Sequence, residues 1–584
     1  MIKLVVGHRG VGKSAFLERL SSYNLSDSTE FVDLDSYIEK KEKLKIPDIF
    51  ETLGESVFRE KEWAAFEELY KNKQEEDLWI SLGAGFPVEK LGDYKAEIIW
   101  LKRASDHAGR IFLNRPRLNS KVSPLEEFKE RFDERETKFK KHAHKFFMLP
   151  EGNFDLDTIE KKYLGLESSD NSQLNVALTL ENSQMINNIS YYQSLGIKFF
   201  ELRDDLLTKD QITQALKALP PENLIYSHRK GADLLSGPGC VKYTDWALEL
   251  GEPVGDKINL LSLHEKENAY QRFEKYDNKK YIFKLAIPIN SFEELEEMYK
   301  WWLENPTRRL IFPISTEGKW RWFRQIIASK QLFNFYKSDD TIIADQPYLY
   351  QSFGSHLEKG FAAVVGKPTD LSWTPQFHRR FFFDKQMSVV NINLSEEELS
   401  VKSLNFLKSL GLKFCAVTSP LKIKAFDLST QKSELSKELE STNSLYFKEN
   451  EIVGDNTDYQ GFLDLVKCYE NSKGIVVWGG GGTNAMVKKA LPQASLYSSR
   501  EAKPRPDEQS VENPEVIIWS VGNQKKNNFP PANWKPKVII DLNYFENSPG
   551  IEYAQITKAK YLNGIAMFVS QGNKQQEKFK EFSG

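Results

Sequence analysis

The stretch Ile2-Lys3-Leu4-Val5-Val6-Gly7-His8-Arg9-Gly10-Val11-Gly12-Lys13-Ser14 begins as a short apolar strand and runs straight into a glycine-rich loop. Its spacing is G-x-x-x-x-G-K-S in a strand–loop–helix setting, the form that closes backbone N–H groups around phosphates. In such a loop Gly7, Gly10 and Gly12 give the backbone room, Lys13 reaches the β and γ oxygens, and Ser14 holds magnesium. This reading sets an α/β class with a parallel sheet and makes ATP and Mg2+ the expected cofactors. It does not give the phosphoryl acceptor.

Outward from the loop, 584 residues exceed a single core, and ordinary domain sizes suggest roughly three or four units. A hydrophobic content of 40% is that of soluble globular domains, and a net charge of −3 gives no reason to expect nucleic acid or an acidic membrane as partner. Cys240, Cys415 and Cys468 are too scattered to suggest disulfides or a zinc site. No apolar run approaches the ~20 residues of a membrane span, and the N-terminus does not read as a signal peptide. The expectation is a cytoplasmic multidomain protein acting on small molecules; a homodimer is compatible with it.

Residues beyond the loop point to the acceptor. Phe31-Val32-Asp33-Leu34-Asp35 ends a second strand in alternating carboxylates, and residues 46–62 read IPDIFETLGESVFREKE. Gly83-Ala84-Gly85 follows an apolar strand, Arg115-Pro116-Arg117-Leu118 reads as a loop, and Arg135 precedes a helix. Together these resemble shikimate kinase, with its D-x-D, I-x-x-x-F-x-x-x-G-E-x-x-F-R-x-x-E, G-G-G and R-P-L-L motifs. The resemblance implies Asp33 near magnesium and Asp35 on the accepting hydroxyl. It also implies Arg59, Arg135 and Gly83–Gly85 around the substrate carboxylate and ring, and Arg115 over the phosphates. Ala84 departs from the middle glycine. The domain expected is 1–165, with Pro150 to Gln173 as tail helix and linker.

Between about 170 and 355, apolar runs alternate with helical stretches eight times, from Leu174–Leu178 through Ile197–Leu202, Leu224–Ser227, Val241–Thr244, Ile258–Leu263, Tyr281–Leu285 and Leu310–Ile314 to Thr341–Ala344. Eight strand–helix units predict a (β/α)8 barrel whose functional residues sit at the C-terminal strand ends. Glu201, Arg229, His264, Lys284, Arg321 and Gln346 fall at or just after such ends. A lysine inside an apolar strand has a lowered pKa and attacks ketones as the free amine. The stretches Phe200-Glu201-Leu202-Arg203, Ser227-His228-Arg229, Leu263-His264 and Phe283-Lys284-Leu285-Ala286 also resemble type I 3-dehydroquinate dehydratase. That resemblance implies an imine at Lys284, proton transfer by His264 and a substrate carboxylate on Arg321, preferred to Arg324. Glu201, Arg203, Arg229 and Gln346 would bind hydroxyls or order the pocket. The family's D-x-E reads Asp245-Trp246-Ala247, with Glu249 two residues on.

In the last segment, 360–584, Val417-Thr418-Ser419-Pro420-Leu421-Lys422 and Gly454-Asp455-Asn456-Thr457-Asp458 supply a lysine and a carboxylate able to move a proton at a hydroxyl. A buried strand, Gly474 to Trp478, leads into Gly479-Gly480-Gly481-Gly482-Thr483-Asn484 and a helix, a dinucleotide turn. The next strand ends in Ser498-Ser499-Arg500 rather than an acid, which favours a 2′-phosphate and so NADP(H); the NADP part spans about 471–560. With Ser372-Trp373-Thr374-Pro375-Gln376-Phe377-His378, Thr442-Asn443 and Gln571-Gly572, the segment resembles shikimate dehydrogenase. The resemblance implies Ser372 and Thr374 on the substrate carboxylate, and Thr418, Asn443 and Gln571 on ring hydroxyls. Lys422 and Asp458 would handle the proton while Ser499 and Arg500 meet the cofactor. Ala416 and Trp519-Ser520-Val521-Gly522 depart from the family's pattern.

The whole chain resembles three fused shikimate-pathway enzymes, arranged as in the C-terminal part of the fungal pentafunctional AROM polypeptide. Two alternatives stand beside this reading: a non-catalytic sensor like the fungal quinate repressor, and an enzyme with a degenerate dehydratase.

Overall fold

The computed structural model describes residues 2–22, 29–72, 77–103, 106, 108–112, 122–149, 175–194, 197–230, 241–276, 280–338, 344–349, 351, 357–369, 372–481, 483–521, 529–531, 533–544 and 548–583. Arg115, Cys240, Gly482, the stretch 150–173 and residues 341–343 lie outside them. The chain forms two compact units: Met1–Gly109 with Lys129–Leu357, and Arg110–Phe128 with Glu358–Gly584. Among the described residues no helix is long and apolar enough to cross a membrane.

The first unit opens with β1 (Ile2–Gly7), β2 (Thr29–Asp33), β3 (Asp77–Ser81), β4 (Ala96–Arg103) and β5 (Lys145–Leu149). They form a parallel sheet in the order β2-β3-β1-β4-β5. Strand alternation sends Leu4 and Val6 into one apolar cluster and Val5 into another, so both faces of β1 are covered. Helix α1 (Lys13–Ser21) starts directly from Gly12 at φ 105°. Helix α2 (Leu34–Glu42) is capped by Asp33, whose carboxylate accepts from Ser36 N at 2.9 Å. Helix α3 (Ile46–Asn72) breaks at Gly54, where φ is 83°, and α4 (Pro124–His142) follows β4.

The same unit holds a second parallel sheet of β6 (Val176–Leu180), β7 (Phe199–Arg203), β8 (Leu224–His228), β9 (Tyr243–Ala247), β10 (Leu260–Leu263), β11 (Ile282–Leu285), β12 (Arg309–Ile311) and β13 (Asn334–Tyr336). Their order is β12-β11-β10-β9-β8-β7-β6-β13. The eighth strand of this sheet is Asn334–Tyr336; of the Thr341–Ala344 run expected in that place, residues 341–343 lie outside the described residues. Phe333 and Phe335 fill the sheet's interior beside Ala177, Ile225, Leu260 and Leu310, while Ala344 stands in a turn. The sheet curls until Phe312, just past β12, and Phe335 have ring centroids 5.3 Å apart. Among the described residues β12 and β13 share no ladder. The buried Gln331 amide takes its place at that seam: Ile311 N donates to its oxygen at 2.7 Å, and its nitrogen donates to Ile311 O at 3.4 Å. Helix α5 (Arg321–Ile327) precedes β13.

The second unit has two six-stranded sheets. The first runs β15-β14-β16-β18-β19-β17, built of β14 (Phe361–Gly366), β15 (Ser388–Asn393), β16 (Leu412–Val417), β17 (Gln431–Lys432), β18 (Ser444–Phe447) and β19 (Ile452–Asp455). The second runs β22-β21-β20-β23-β24-β25, built of β20 (Ile475–Gly479), β21 (Ser495–Ser498), β22 (Lys503–Pro504), β23 (Val516–Ser520), β24 (Val538–Asp541) and β25 (Lys560–Leu562). Helices α6 (Thr374–Phe383), α7 (Lys422–Leu428), α8 (Asp458–Val466), α9 (Asn484–Ala490) and α10 (Ile565–Ser583) position its functional side chains. In α10, Phe568 packs with Trp373, and Phe579 joins the core of the first sheet.

Candidate functional site

Three constellations gather the predicted residues. In the first, Gly7, Gly10 and Gly12 all have positive φ, and Lys13 Nζ donates to Gly7 O at 3.0 Å. Burial brings the Lys13 ammonium down to about 8, against the pull of Asp35. Ser14 Oγ donates to Asp33 Oδ2 at 2.6 Å, so the two oxygens expected near magnesium are adjacent. Asp35 is raised by burial, with Lys13 opposing, as suits a carboxylate that accepts a proton. Arg59 pairs with the fully buried Glu62 at 2.7 Å and with Glu55 at 3.1 Å. A Cβ at Gly83 would stand 2.1 Å from Glu62 Oε1, and one at Gly85 2.3 Å from Arg59 Nη2. A side chain at either glycine would therefore displace an end of this ion pair, whereas the half-buried Ala84 sits between. Burial and the neighbouring Arg131 and Arg59 bring Arg135 down to about 10. Glu62 was readable in the same motif but had no assigned role.

The second lies at the C-terminal ends of the curled sheet, where Glu201, Arg203, Arg229, His264, Lys284 and Gln346 line one cavity of ≈ 160 Å³. Lys284 Nζ meets Asp245 Oδ2 at 2.9 Å and Glu201 Oε1 at 3.6 Å, and lies 4.5 Å from the centre of the Phe335 ring. Its strand is apolar, but its ammonium is not in apolar surroundings. Arg229 shares the same Asp245 oxygen at 2.6 Å, and Thr179 and Ser227 donate to Glu201 at 2.6 and 2.7 Å. Burial would raise both acids, yet Arg229 and Lys284 hold Asp245 well below the usual range, and Lys284 with Arg203 and Arg229 lowers Glu201.

The missing partner at Ala247 is supplied from further along. Strand β9 ends there, and a 3-10 turn, Leu248–Leu250, carries Glu249 back to His264. Glu249 accepts from His264 N and approaches Nδ1 at 3.5 Å, while His264 falls below its ordinary value because it is buried.

The structure places the predicted carboxylate binder elsewhere. Arg321 donates to Ala344 O at 2.7 Å and lies over the Tyr348 ring, outside the cavity lining. Arg324 lines the cavity instead, 1% exposed, with Nε and Nη1 buried and lacking hydrogen-bond partners. Three residues apart, the two arginines lie on nearly the same side of α5, so local packing rather than helical spacing decides which one reaches the cavity.

The third constellation surrounds another ≈ 160 Å³ cavity lined by Ser372, Thr374, Thr418, Lys422, Asn443, Asp458 and Gln571. Lys422 and Asp458 are the first residues of α7 and α8, and Lys422 Nζ donates to Asp458 Oδ2 at 2.7 Å. Asn443 Nδ2 donates to Asp458 Oδ1 at 2.9 Å and reaches Gln571 Oε1 at 3.4 Å. Gln575, one turn beyond Gln571, also lines the cavity, and the helical spacing could have revealed it. In the dinucleotide turn Gly479 and Gly480 have φ of 89° and 74°. A Cβ on Gly480 would meet Asn484 Oδ1 at 2.7 Å, so the turn packs against the start of α9 with no room for a side chain there. Ser499 is buried and Arg500 exposed after β21. Arg505, which no motif marked, donates to Gly479 O at 3.2 Å and also to Gly480 O.

These folds and sites define a multidomain α/β protein with one phosphate loop and one dinucleotide turn. The family model for shikimate kinase matches residues 9–152. The chain is 25% identical over 243 residues to the NADP(+) shikimate dehydrogenase of Maridesulfovibrio salexigens, covering 36% of this chain and 88% of that one. It is 29% identical over 250 residues to the corresponding enzyme of Buchnera aphidicola, covering 37% and 90%. It matches that of Acinetobacter baylyi at 29% over 144 residues, covering 23% of this chain and 53% of the relative. Among solved structures, shikimate dehydrogenase from Aquifex aeolicus aligns with a TM-score of 0.33 at 22% identity, covering 38% of this chain and 92% of that one. The Thermus thermophilus enzyme in complex with NADP(H) and shikimate aligns with a TM-score of 0.32 at 18% identity, covering 38% and 93%.

Proposed function

We propose that the chain carries three activities of shikimate metabolism. It removes water from 3-dehydroquinate, reduces 3-dehydroshikimate with NADPH, and phosphorylates shikimate with ATP. One observation carries the reading: Lys284, His264 and the buried Arg324 converge on one cavity, where loss of water from 3-dehydroquinate would supply the 3-dehydroshikimate that the reduction consumes.

In the dehydratase site Lys284 attacks the substrate ketone and water leaves, giving an imine. Arg324 holds the substrate carboxylate, which would accept from its buried Nε and Nη1. His264, held by Glu249, removes the adjacent proton and returns it to the departing hydroxyl. Hydrolysis of the imine then frees Lys284. In the dehydrogenase site the bound nicotinamide supplies the hydride. Ser372 and Thr374 receive the substrate carboxylate; Asn443, Thr418 and Gln571 orient the ring; Lys422 with Asp458 delivers the proton to the carbonyl oxygen. In the kinase site Ser14 and Asp33 would hold magnesium, which offsets phosphate charge, and Asp35 takes the proton of the accepting hydroxyl.

The test is borohydride added to the full chain with 3-dehydroquinate. A stable secondary amine is expected on the peptide carrying Phe283-Lys284-Leu285, absent from Lys284→Met and retained in His264→Ala. No adduct where substrate is shown to bind would leave the curled sheet a binding domain.

A further inference from the structure

A cavity of ≈ 850 Å³ in the second unit lies away from its catalytic pocket. It opens at the N-terminal ends of β14 and β16, by Lys359 and Leu412, whereas Thr418 and Lys422 of the catalytic pocket follow the C-terminal end of β16. Its size falls within the range of roughly 300–1,000 Å³ typical of small-molecule sites.

Five lysines line it, Lys359, Lys385, Lys408, Lys413 and Lys448, against one acid, Glu449. Among the described residues none of these five ammonium groups is in an ion pair, although the chain as a whole has 80 basic and 83 acidic residues. Lys408 donates only to the backbone carbonyl of Glu449, and Lys448 stands 5.0 Å from the Phe582 ring. Like charges gathered around a concave wall repel one another and focus a positive potential that an anion relieves. The floor is apolar: Met387, Phe579, and the stacked pair Tyr446 and Phe582 with centroids 4.7 Å apart.

One layer of structure separates this cavity from the catalytic pocket. Helix α10 lines the catalytic pocket with Phe568, Gln571 and Gln575 and the lysine-rimmed cavity with Phe579 and Phe582. Tyr446 lines the second cavity, and its hydroxyl donates to Gln575 O at 3.4 Å. The Gln575 side chain in turn donates to Asn443 O at 3.2 Å and Ser444 Oγ at 2.9 Å.

We propose that this cavity is a regulatory site for a small aromatic anion, a planar ring bearing carboxylate, sulfonate or phosphate, whose occupancy is felt at the catalytic pocket through Tyr446 and α10. The ring would stack on Phe582, which backs onto the buried Tyr446 ring, while the lysines take the charge. The coupling half rests on the dehydrogenase reading above; the binding half does not.

The probe is 8-anilinonaphthalene-1-sulfonate, titrated into the full chain by fluorescence. One saturable site is expected, weakened by added salt because exposed charges are screened. Lys385→Glu/Lys413→Glu should weaken binding at least tenfold, and Phe582→Ala severalfold, with shikimate oxidation at wild-type level in both. The saturated wild type should show a severalfold change in KM for shikimate that the charge-reversed variant lacks at the same probe concentration. Binding that is absent, or equal in all three proteins, overturns the site. Binding that leaves KM unchanged, or a KM effect equal in the charge-reversed variant, overturns the coupling. Should the chain fail to oxidise shikimate, the fluorescence comparison still decides the site.

Discussion

Arg321 and Arg324 stand three residues apart on α5 and have opposite surroundings. Arg324 is a buried cation whose Nε and Nη1 have no partner, so truncating it removes the group that a substrate carboxylate would satisfy. A charge-assisted bond is worth ~1.5–3 kcal/mol, so Arg324→Ala should raise the KM for 3-dehydroquinate roughly tenfold to a hundredfold. Arg321→Ala should leave it within about twofold, and the reverse order would discard the assignment. The resemblance implied an arginine here and its spacing favoured Arg321; that Arg324 is the one lining the cavity comes from packing, which a blurred motif does not record. His378 carries a pH dependence. It lies between Gln575 Oε1 at 2.9 Å and Gln576 Nε2 at 3.1 Å, and burial brings it from 6.5 down to about 4, against the Gln575 contact. The unfolded chain therefore binds this proton at higher pH than the folded chain. Stability from His378 is full above about 6.5 and is lost as pH falls through about 4, on the order of a few kcal/mol. His378→Gln should flatten that slope in the urea midpoint for loss of shikimate oxidation; an unchanged slope would show that other groups set it.

The dinucleotide turn tests an element rather than a side chain. Gly480 needs a positive φ and has Asn484 Oδ1 2.7 Å from where a Cβ would stand. Left-handed backbone costs a residue with a Cβ ~1–2 kcal/mol. Gly480→Ala should therefore weaken NADP(H) binding at least tenfold by titration calorimetry, with little change in kinase activity. Wild-type affinity in the variant would mean that the turn does not hold the cofactor. Both glycine-rich loops were legible because their chemistry is local: spacing, strand before and helix after. The eighth strand of the curled sheet was not. The expectation followed the composition of Thr341–Ala344, whereas β13 is set by its pairing of Asn334 with Val176 and by the volume of Phe333 and Phe335 in the interior. Long-range pairing of that kind leaves little trace in a short window. Glu249 is intermediate: its distance from Ala247 was visible, but its return through a 3-10 turn was not.

At the scale of the whole molecule, each constellation draws its reacting groups from its own segment, so the proposed activities should be separable. Lys13→Ala should lower phosphoryl transfer at least ~10²-fold. Lys422→Ala should lower shikimate oxidation by ~10²–10⁴-fold. Each variant should keep the other two rates near wild type in separate assays. Loss of shikimate oxidation in folded Lys13→Ala protein would refute independent sites. The order of the three segments along the chain was readable because each has its own motif set. The two compact units were not, because Arg110–Phe128 joins the second unit rather than its sequence neighbours, with Leu125 packed among Trp373 and Phe568.

The seam between β12 and β13 has a dynamic consequence. Elsewhere in that sheet, separating two strands breaks a ladder; at the seam, among the described residues, it releases Ile311 from one glutamine amide and parts Phe312 from Phe335. Both rings line the Lys284 cavity, so local opening there would expose the site without global unfolding. In native-state hydrogen–deuterium exchange the Ile311 amide should lose protection before that of Leu261, whose strand is paired on both sides. Gln331→Ala leaves the Ile311 N–H and C=O unsatisfied, a cost of ~1–3 kcal/mol, and should speed Ile311 exchange by roughly 5–150-fold while Leu261 barely changes. Equal acceleration at both amides would mean that the sheet opens only as a whole.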